Sequence, residues 1–310
     1  PIMPNFLVAG AAKCGTTSLY HYLKQHPNVF MSDVKEPNFL IEGAPMNSIG
    51  VRDRLSASRD IRSYDAYLRL FEKASGYQAV GEASISTLFL YPYSIPAIKR
   101  YLGDPRIIII LRDPAERAYS AYTFLVRDGW EPLSFAESLQ REERRAAEGY
   151  RLMWRYRALG LYSHQVRAFQ ENFSSVLILL YDDLKRDPSL LMRSVYAFLG
   201  VDDTVVPQAF QIQNPSGNPR LRLLNALLVK PKRLHAVARR LGSAVMGERR
   251  WIELRENVRR ANLRKPPLPD PLIMRELREY FREDILRLQD LIGRDLSAWI
   301  QGPRRSENIG

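Results

Sequence analysis

The sequence contains little cysteine and histidine, and it has no long apolar run. One cysteine, Cys14, and four histidines occur in 310 residues. An internal disulfide is therefore excluded, and no spacing of residues suggests a zinc site. The apolar runs at 107–111 and 176–181 have the length of β-strands and are too short to span a membrane. No basic start followed by a long apolar segment marks a signal peptide. Together these absences predict a reducing, cytoplasmic setting.

The positive charge is concentrated in one part of the chain. The net charge is +12, and residues 217–265 hold 14 Lys and Arg against 3 Glu, so this segment carries +11. A basic segment predicts an anionic partner, such as cofactor phosphates, an acidic acceptor, a membrane surface or nucleic acid. Its leucines fit either a helical lid over the cofactor and acceptor or an interfacial helix with peripheral membrane contact. The lid is favoured because Pro231 interrupts the helix and core packing accounts for the leucines. No sequence feature indicates the oligomeric state.

Short apolar runs alternate with segments of helical periodicity. Strands are predicted at 6–8, 29–31, 79–83, 107–111 and 176–181. Helices are predicted from 16 to about 25 and at 64–73, 95–102, 134–148, 159–172 and 190–199. The alternation predicts an α/β fold with a central parallel sheet flanked by helices. We expect one domain at 1–300, with the basic lid at 217–265, and a flexible tail at 301–310.

The first strand runs into a glycine turn and then into a helix start rich in hydroxyl groups. This arrangement directs backbone N–H groups and a helix N-terminus at a phosphate. Gly10 and Gly15 keep the spacing of a nucleotide triphosphatase loop, G-x-x-x-x-G-K-[ST]. Thr16 stands at the lysine position of that motif, and the lysine lies inside the loop as Lys13.

The segment from Lys13 to Ser18 resembles the phosphosulfate-binding loop of sulfotransferases that use 3′-phosphoadenosine 5′-phosphosulfate (PAPS). The resemblance implies a P-loop-NTPase-like fold and a reaction that needs no metal. It also implies that Lys13 contacts the 5′-phosphosulfate and the bridging oxygen of the leaving group. The cofactor-binding residues that it implies in this loop are Lys13, Cys14, Gly15, Thr16, Thr17 and Ser18.

A second segment, Leu111 to Tyr122, resembles the 3′-phosphate motif of the same family. In that motif an arginine ends a strand and a serine follows eight residues later, which corresponds to Arg112 and Ser120. A guanidinium offers a fixed fork of donors, and a serine hydroxyl adds one more. Because a 3′-phosphate distinguishes PAPS from ATP, this motif and the Lys13 loop together point to PAPS.

Two further segments extend the resemblance along the chain. The loop from Asn214 to Arg220 resembles one that closes over the 3′-phosphate in bacterial members, which implies contacts from Ser216, Gly217 and Arg220. The alternative for that loop is a glycine-proline turn before a helix. Tyr181 follows the last predicted strand, and it is expected either near the adenine or buried at the strand end.

Glu36 is the candidate general base. In the heparan-type branch of the family a glutamate shortly after the first helix accepts the proton of the acceptor, and Glu36 has that place, after the strand next to the phosphate loop. The alternative is a loop glutamate paired with Lys35. Asn38 replaces a histidine of the heparan enzymes, and Ala83 after Glu82 replaces a lysine. These departures argue against a heparan-like polysaccharide acceptor, while Glu82 is still expected to line the acceptor side.

The histidines are alternative candidates for the base, because arylsulfotransferase-like branches use one. They are expected to be structural or surface residues, namely His21, His26, His164 and His235.

The sequence therefore predicts a PAPS-dependent sulfotransferase that releases adenosine 3′,5′-bisphosphate. The acceptor is expected to offer a hydroxyl or amine on a carbohydrate, lipid or natural product. A P-loop kinase of small metabolites is one alternative, although Thr16 at the lysine position argues against it. A non-catalytic nucleotide- or nucleic-acid-binding protein is the other, and no RNA-binding sheet motif with interleaved aromatics supports it.

Overall fold

A five-stranded parallel β-sheet forms the centre of the protein, as the alternating pattern predicts. The structure is a computed structural model that describes residues 2–45, 61–208, 218–219, 247, 258, 262–264 and 266–302. The strand order in the sheet is β2-β3-β1-β4-β5, and all four strand pairs are parallel. The strands are β1 (Phe6–Gly10), β2 (Val29–Met31), β3 (Ala79–Ala83), β4 (Arg106–Leu111) and β5 (Val176–Leu180).

Helices connect the strands and cover both faces of the sheet. Those before β5 are α1 (Thr16–Leu23), α2 (Tyr64–Arg69), α3 (Ser86–Phe89), α4 (Tyr91–Leu102), α5 (Pro114–Arg127), α6 (Phe135–Gln140), α7 (Glu142–Ala147) and α8 (Ser163–Asn172). Those after β5 are α9 (Tyr181–Arg186), α10 (Pro188–Leu199), α11 (Pro271–Ile292) and α12 (Ser297–Gln301). Two short strands, β6 (Asn218–Pro219) and β7 (Leu263–Arg264), pair antiparallel.

The strands are apolar because the sheet is covered on both sides. All residues of β1, and β4 from Ile107 onward, are buried, as expected for parallel strands with helices on each face. Gly81 in β3 is needed for close packing, since a Cβ there would lie 2.5 Å from the Phe6 ring. At the sheet edge, the first three residues of β5 are only half-buried, so burial along this strand is less complete than its sequence suggests.

Several predicted elements differ in their boundaries, and three helices show the difference most clearly. The single helix predicted at 134–148 is two helices, α6 and α7, which are separated at Arg141 although the dihedral angles of this residue stay in the right-handed helical region. The helix predicted from residue 159 begins at Ser163, after a 3₁₀ turn at Ala158–Gly160. The helix predicted from residue 95 begins at Tyr91, with a proline in its first turn, where the missing N–H costs nothing.

The long helix α11 packs against α5 and α8. Its buried apolar residues form one helical stripe: Met274, Leu277, Phe281, Ile285 and Leu288. Close packing of α11 against the 3₁₀ turn at Ala158–Gly160 requires a glycine at position 160, because a Cβ there would lie 2.8 Å from the Phe281 ring.

Two predicted regions lie largely outside the described residues. Only a few residues of the basic segment 217–265 and of the tail 301–310 are described, so the predictions of a lid and of a flexible tail stay predictions. Within the part of the chain that is described, no helix is long and apolar enough to cross a bilayer.

Candidate active site

The candidate residues gather at one edge of the sheet. Since all five strands are parallel, their carboxyl ends point to the same edge, where ligands bind in open α/β folds. Lys13 follows β1, Arg112 follows β4 and Tyr181 follows β5. Glu82 lies one residue before the end of β3, and Glu36 follows β2. The fold thus brings together, at this edge, residues that are up to 168 positions apart in the chain.

The loop between β1 and α1 has the geometry of a phosphate cradle. Lys13 has a φ of 68° and Gly15 has a φ of 96°, both in the left-handed region. A glycine is required at position 15 because a Cβ there would also lie 2.8 Å from the Tyr181 ring. Gly15 precedes α1, whose first residues carry the hydroxyl groups of Thr16, Thr17 and Ser18. The N-terminus of α1 therefore begins directly at the loop.

The environment of Lys13 is apolar and positively charged. Its Nζ lies 4.4 Å from the centre of the Phe124 ring. Burial, followed by the charges of Arg127 and Arg112, lowers the pKa of Lys13 to about 8. Among the residues that the structure describes, no carboxylate forms an ion pair with Lys13. The charges of Asp128 and Cys14 oppose this shift without reversing it. An anionic ligand would add the negative charge that Lys13 still lacks, so the site is suited to such a ligand.

Arg112 lies at the end of β4 with its guanidinium 4.9 Å from the Tyr181 ring centre. It is mostly buried and pairs with Glu116 at 2.9 Å. Burial opposes its charge, but Glu116 outweighs burial and raises the pKa of Arg112. Asp113 caps α5 by accepting from the N–H of Ala115 at 2.8 Å, as predicted. Arg112 at the end of β4 and the buried Ser120 in α5 are thus joined by a short connection, which the Asp113 cap holds in place.

Two residues of α5 near Lys13 were missed by the sequence reasoning. Phe124 contacts Lys13, and Arg127 contributes to its low pKa. Arg127 also lies 4.6 Å from the Phe124 ring and pairs with Asp128 at 2.9 Å. Ser120, Phe124 and Arg127 have the spacing i, i+4, i+7, so they share one face of the helix. That spacing was the available signal for both residues.

Glu36 is held at this edge by a contact that the sequence does not reveal. The sheet order corrects the prediction that its strand lies next to the phosphate loop: β2 is an edge strand, and β3 separates it from β1. The chain returns toward the centre because the Glu36 N–H donates to the Ala83 carbonyl at the end of β3, at 2.9 Å. Glu36 has a φ of 61°, and its carboxylate accepts from Lys35 at 2.9 Å. The ion pair considered as the alternative role is therefore present.

Glu82 is a second carboxyl group beside Glu36. It is 2% exposed, so it is buried within β3 instead of lining an open surface. The Ser84 hydroxyl donates to its Oε2 at 2.7 Å. Burial raises the pKa of Glu82 to about 7; the hydrogen bond from Ser84 opposes the rise, and the charge of Glu36 adds to it. No basic side chain in the described ranges forms an ion pair with Glu82.

The sequence around these residues matches a known protein family. A sequence model described as "Sulfotransferase family" matches residues 4–204, which include the Lys13 loop, both carboxyl groups and the Arg112 motif. The chain belongs to the sulfotransferase family. The match ends before the basic segment and before α11, so the C-terminal third lies outside the residues that this model matches.

Relatives and a solved structure agree with this membership. The chain is 28% identical over 271 residues to carbohydrate sulfotransferase 15 of Mus musculus, a match that covers 70% of this chain and 47% of the relative. It is 30% identical over 208 residues to the Homo sapiens bifunctional heparan sulfate N-deacetylase/N-sulfotransferase 3, covering 64% and 22%. The chain thus spans about half or less of these two relatives. A crystal structure of a sulfotransferase from Alicyclobacillus acidocaldarius is 35% identical, with a TM-score of 0.75, and covers 96% of this chain and 99% of that one.

The other predicted site residues and histidines either lie outside the described residues or have structural contacts. Ser216, Gly217 and Arg220 lie outside the described residues, as does His235. Cys14 is completely buried, and its Sγ lies 3.7 Å from the Tyr162 hydroxyl, so its side chain points into the protein. His26 is structural: its Nδ1 accepts from the Asn28 N–H at 3.0 Å, and its Nε2 lies 2.9 Å from the Asp202 carbonyl.

An open cavity of about 420 Å³ lies near Asn5, Asp104 and Arg106. These residues precede or begin strands, so the cavity is at the amino edge of the sheet, opposite the candidate residues. Because the conserved chemistry of open parallel sheets is at the carboxyl edge, this cavity is not the candidate active site.

Proposed function

We propose that the protein transfers the sulfuryl group of PAPS to a hydroxyl or amine of an acceptor and releases adenosine 3′,5′-bisphosphate. The observation that carries the proposal is the cluster of cations at the carboxyl edge. Lys13 is partly buried and forms no ion pair with a carboxylate among the described residues, and Arg112 and Arg127 are close enough to lower its pKa. Such a cluster fits a ligand with several negative charges, and PAPS has phosphate groups at both ends of its ribose.

The proposed donor site has two halves. Lys13 and the N-terminus of α1, with Thr16 to Ser18, would hold the 5′-phosphosulfate, and Arg112 with Ser120 would hold the 3′-phosphate. PAPS supplies the activated sulfuryl group. Lys13 stabilises the negative charge that develops on the bridging oxygen as the sulfur–oxygen bond breaks, which is the contribution expected of a cation in a site that excludes water.

Proton removal from the acceptor is assigned to Glu36. Its carboxylate takes the proton as the acceptor oxygen or nitrogen forms a bond to sulfur, and the electron pair of the broken bond leaves with the bisphosphate nucleotide. The backbone contact from Glu36 to Ala83 fixes its position relative to β3. Lys35 holds the carboxylate in place, and the buried Glu82 lies behind it.

The acceptor class is proposed from chemistry and relatives together. Carbohydrate sulfotransferase 15 and the heparan sulfate enzymes are named for carbohydrate acceptors, so a carbohydrate hydroxyl or amine is the first candidate here. Lipid and natural-product acceptors are the next ones to test. Transfer of radiolabelled sulfuryl groups from PAPS to each class would distinguish them.

The donor proposal is tested by calorimetry with four ligands: adenosine 3′,5′-bisphosphate, 5′-AMP, ADP and ADP with magnesium. We expect the bisphosphate to bind at least about tenfold more tightly than 5′-AMP, because its 3′-phosphate adds charge-assisted hydrogen bonds worth about 1.5–3 kcal/mol. Magnesium is expected to make no difference. Equal affinity for ADP, or binding only with magnesium, would contradict the proposal and favour the kinase alternative.

A further inference from the structure

Helix α8 begins without a side-chain cap of its own. Its N-cap residue is Tyr162, whose ring cannot reach back to the free N–H groups of the first turn. The cap comes instead from Asp284 on α11, more than a hundred residues later. Asp284 is buried and accepts from the Tyr162 N–H at 2.7 Å, the Ser163 N–H at 3.2 Å and the Ser163 hydroxyl at 2.5 Å. The start of α8 is therefore fixed by a different part of the chain.

This cap leaves the Tyr162 side chain directed into the candidate site. Tyr162 is completely buried. Its hydroxyl donates to the Arg112 carbonyl at 3.1 Å and lies 3.7 Å from Cys14 Sγ. Cys14 belongs to the Lys13 loop, and Arg112 begins the second motif. One hydroxyl group therefore contacts both of the segments that are assigned to the two phosphates.

Helix α11 makes a second contact with the same region. Arg278 on α11 lies 3.5 Å from the Asp113 carboxylate, which caps α5 directly after Arg112. Asp284 and Arg278 are less than two helical turns apart on α11. The helix thus contacts the supports of both motifs, although it lies outside the residues that the family model matches.

We propose that Tyr162 is a positioning residue, held by Asp284, that fixes the separation between the Lys13 loop and the Arg112 motif. This inference deepens the proposed function and rests on it, because it concerns a nucleotide with phosphates at both ends. Such a ligand binds well only if both halves of its site are at the correct spacing, since any adjustment of the protein reduces the affinity. A nucleotide with one phosphate uses one half of the site and is insensitive to the spacing.

The test compares Tyr162→Phe with a matched control, Tyr196→Phe. Both tyrosines are completely buried, and each donates one hydrogen bond to a distant backbone carbonyl; Tyr196 donates to Tyr22 at 3.2 Å, away from the loop. Calorimetry measures adenosine 3′,5′-bisphosphate, 5′-AMP and 3′-AMP on each protein. We expect Tyr162→Phe to weaken the bisphosphate roughly fivefold, the effect of one typical hydrogen bond, and to leave both monophosphates unchanged. Tyr196→Phe should change none of the three.

A second readout needs no nucleotide. Cys14 is the single cysteine of the chain. Because the Tyr162 hydroxyl also contacts its sulfur, the reaction with a chromogenic thiol reagent is followed across pH, and the limiting rate of the thiolate reports opening of the Lys13 loop. We expect this rate to rise roughly fivefold in Tyr162→Phe and to stay at the wild-type value in Tyr196→Phe. If Tyr162→Phe does not fold, Asp284→Asn keeps the size of the cap, removes its charge and gives the same comparison.

The outcomes separate the two proposals. If Tyr162→Phe binds all three nucleotides equally more weakly, Tyr162 has only a general structural role. If its affinity for the bisphosphate is unchanged, Tyr162 does not position the two motifs. If the wild-type protein binds no bisphosphate, the proposed function fails. In that case unchanged Cys14 reactivity in Tyr162→Phe would also overturn the link between Tyr162 and the loop, whereas faster reaction would support it.

Discussion

Replacing Lys13 with methionine is expected to stabilise the protein while it abolishes turnover. Lys13 is partly buried, and its pKa falls from 10.5 to about 8 because of desolvation and the nearby Arg127 and Arg112. A shift of this size corresponds to about 3 kcal/mol of destabilisation of the folded state at pH 7. The cation–π contact between Nζ and the Phe124 ring, at 4.4 Å, stabilises the folded state by about 1–2 kcal/mol. The net expected gain for Lys13→Met is therefore about 1–2 kcal/mol.

The difference in stability between Lys13→Met and the wild-type protein is expected to depend on pH. The folded-state pKa of Lys13 lies below the unfolded value, so between about pH 8 and pH 10.5 the unfolded chain binds more protons than the folded chain. Stability contributed by this site therefore rises with pH over that window. The advantage of Lys13→Met should be largest at pH 7 and should shrink as the pH rises from 8 toward 10.5. Urea unfolding of both proteins at pH 7 and pH 9.5 measures the difference.

Lys24 provides a matched control on the helix that follows the loop. It is half-exposed and pairs with Asp33 at 2.5 Å, which raises the pKa of Lys24. Lys24→Met should destabilise the protein by no more than about 1 kcal/mol, the usual size for an exposed ion pair. Turnover should fall on the order of a hundredfold or more in Lys13→Met only, with a smaller loss of bisphosphate affinity. If Lys13→Met is destabilised like Lys24→Met, or if its advantage is the same at both pH values, the assigned environment of Lys13 is wrong.

Two further predictions concern the carboxyl groups. Glu36→Gln should retain bisphosphate affinity and lose turnover on a hydroxyl acceptor by on the order of a hundredfold or more. As a control, Glu42→Gln should keep wild-type rates, because Glu42 forms an exposed pair with Arg100 at 3.6 Å. Full activity of Glu36→Gln would exclude Glu36 as the base. Glu82 has its pKa raised to about 7, mainly by burial, so its contribution to stability is present below about pH 4.5 and is lost as the pH rises through 7. Glu82→Gln should therefore match wild type at about pH 4 and exceed it by up to about 3 kcal/mol at pH 8 in urea unfolding. An equal difference at both pH values would contradict the assignment of Glu82 as buried and without an ion pair.

Several features of the site could be predicted because they depend on neighbours in the chain. The spacing of Gly10 and Gly15 after an apolar strand indicated the loop, and both the left-handed φ of Gly15 and the start of α1 agree with it. The Asp113 cap was predicted because an aspartate before a proline suits the first turn of a helix. The five parallel strands followed from apolar runs that alternate with helical periodicity.

Other features could not be predicted, because they depend on contacts between distant segments. The strand of Glu36 lies at the edge of the sheet next to β3, and the bond to the Ala83 carbonyl holds Glu36 at the carboxyl end of β3. The low pKa of Lys13 requires α5 to place Phe124 and Arg127 beside the loop.

The sequence by itself determined the class of fold, the family and the local geometry of the phosphate loop, since these depend on residue types at short, fixed spacings. Only the tertiary structure decided which charges are left without partners and which supports hold the two motifs together. Those properties arise from burial and from pairs such as Tyr162 and Asp284, 122 positions apart. Periodicity describes one element at a time, so it holds no information about which element covers a given side chain.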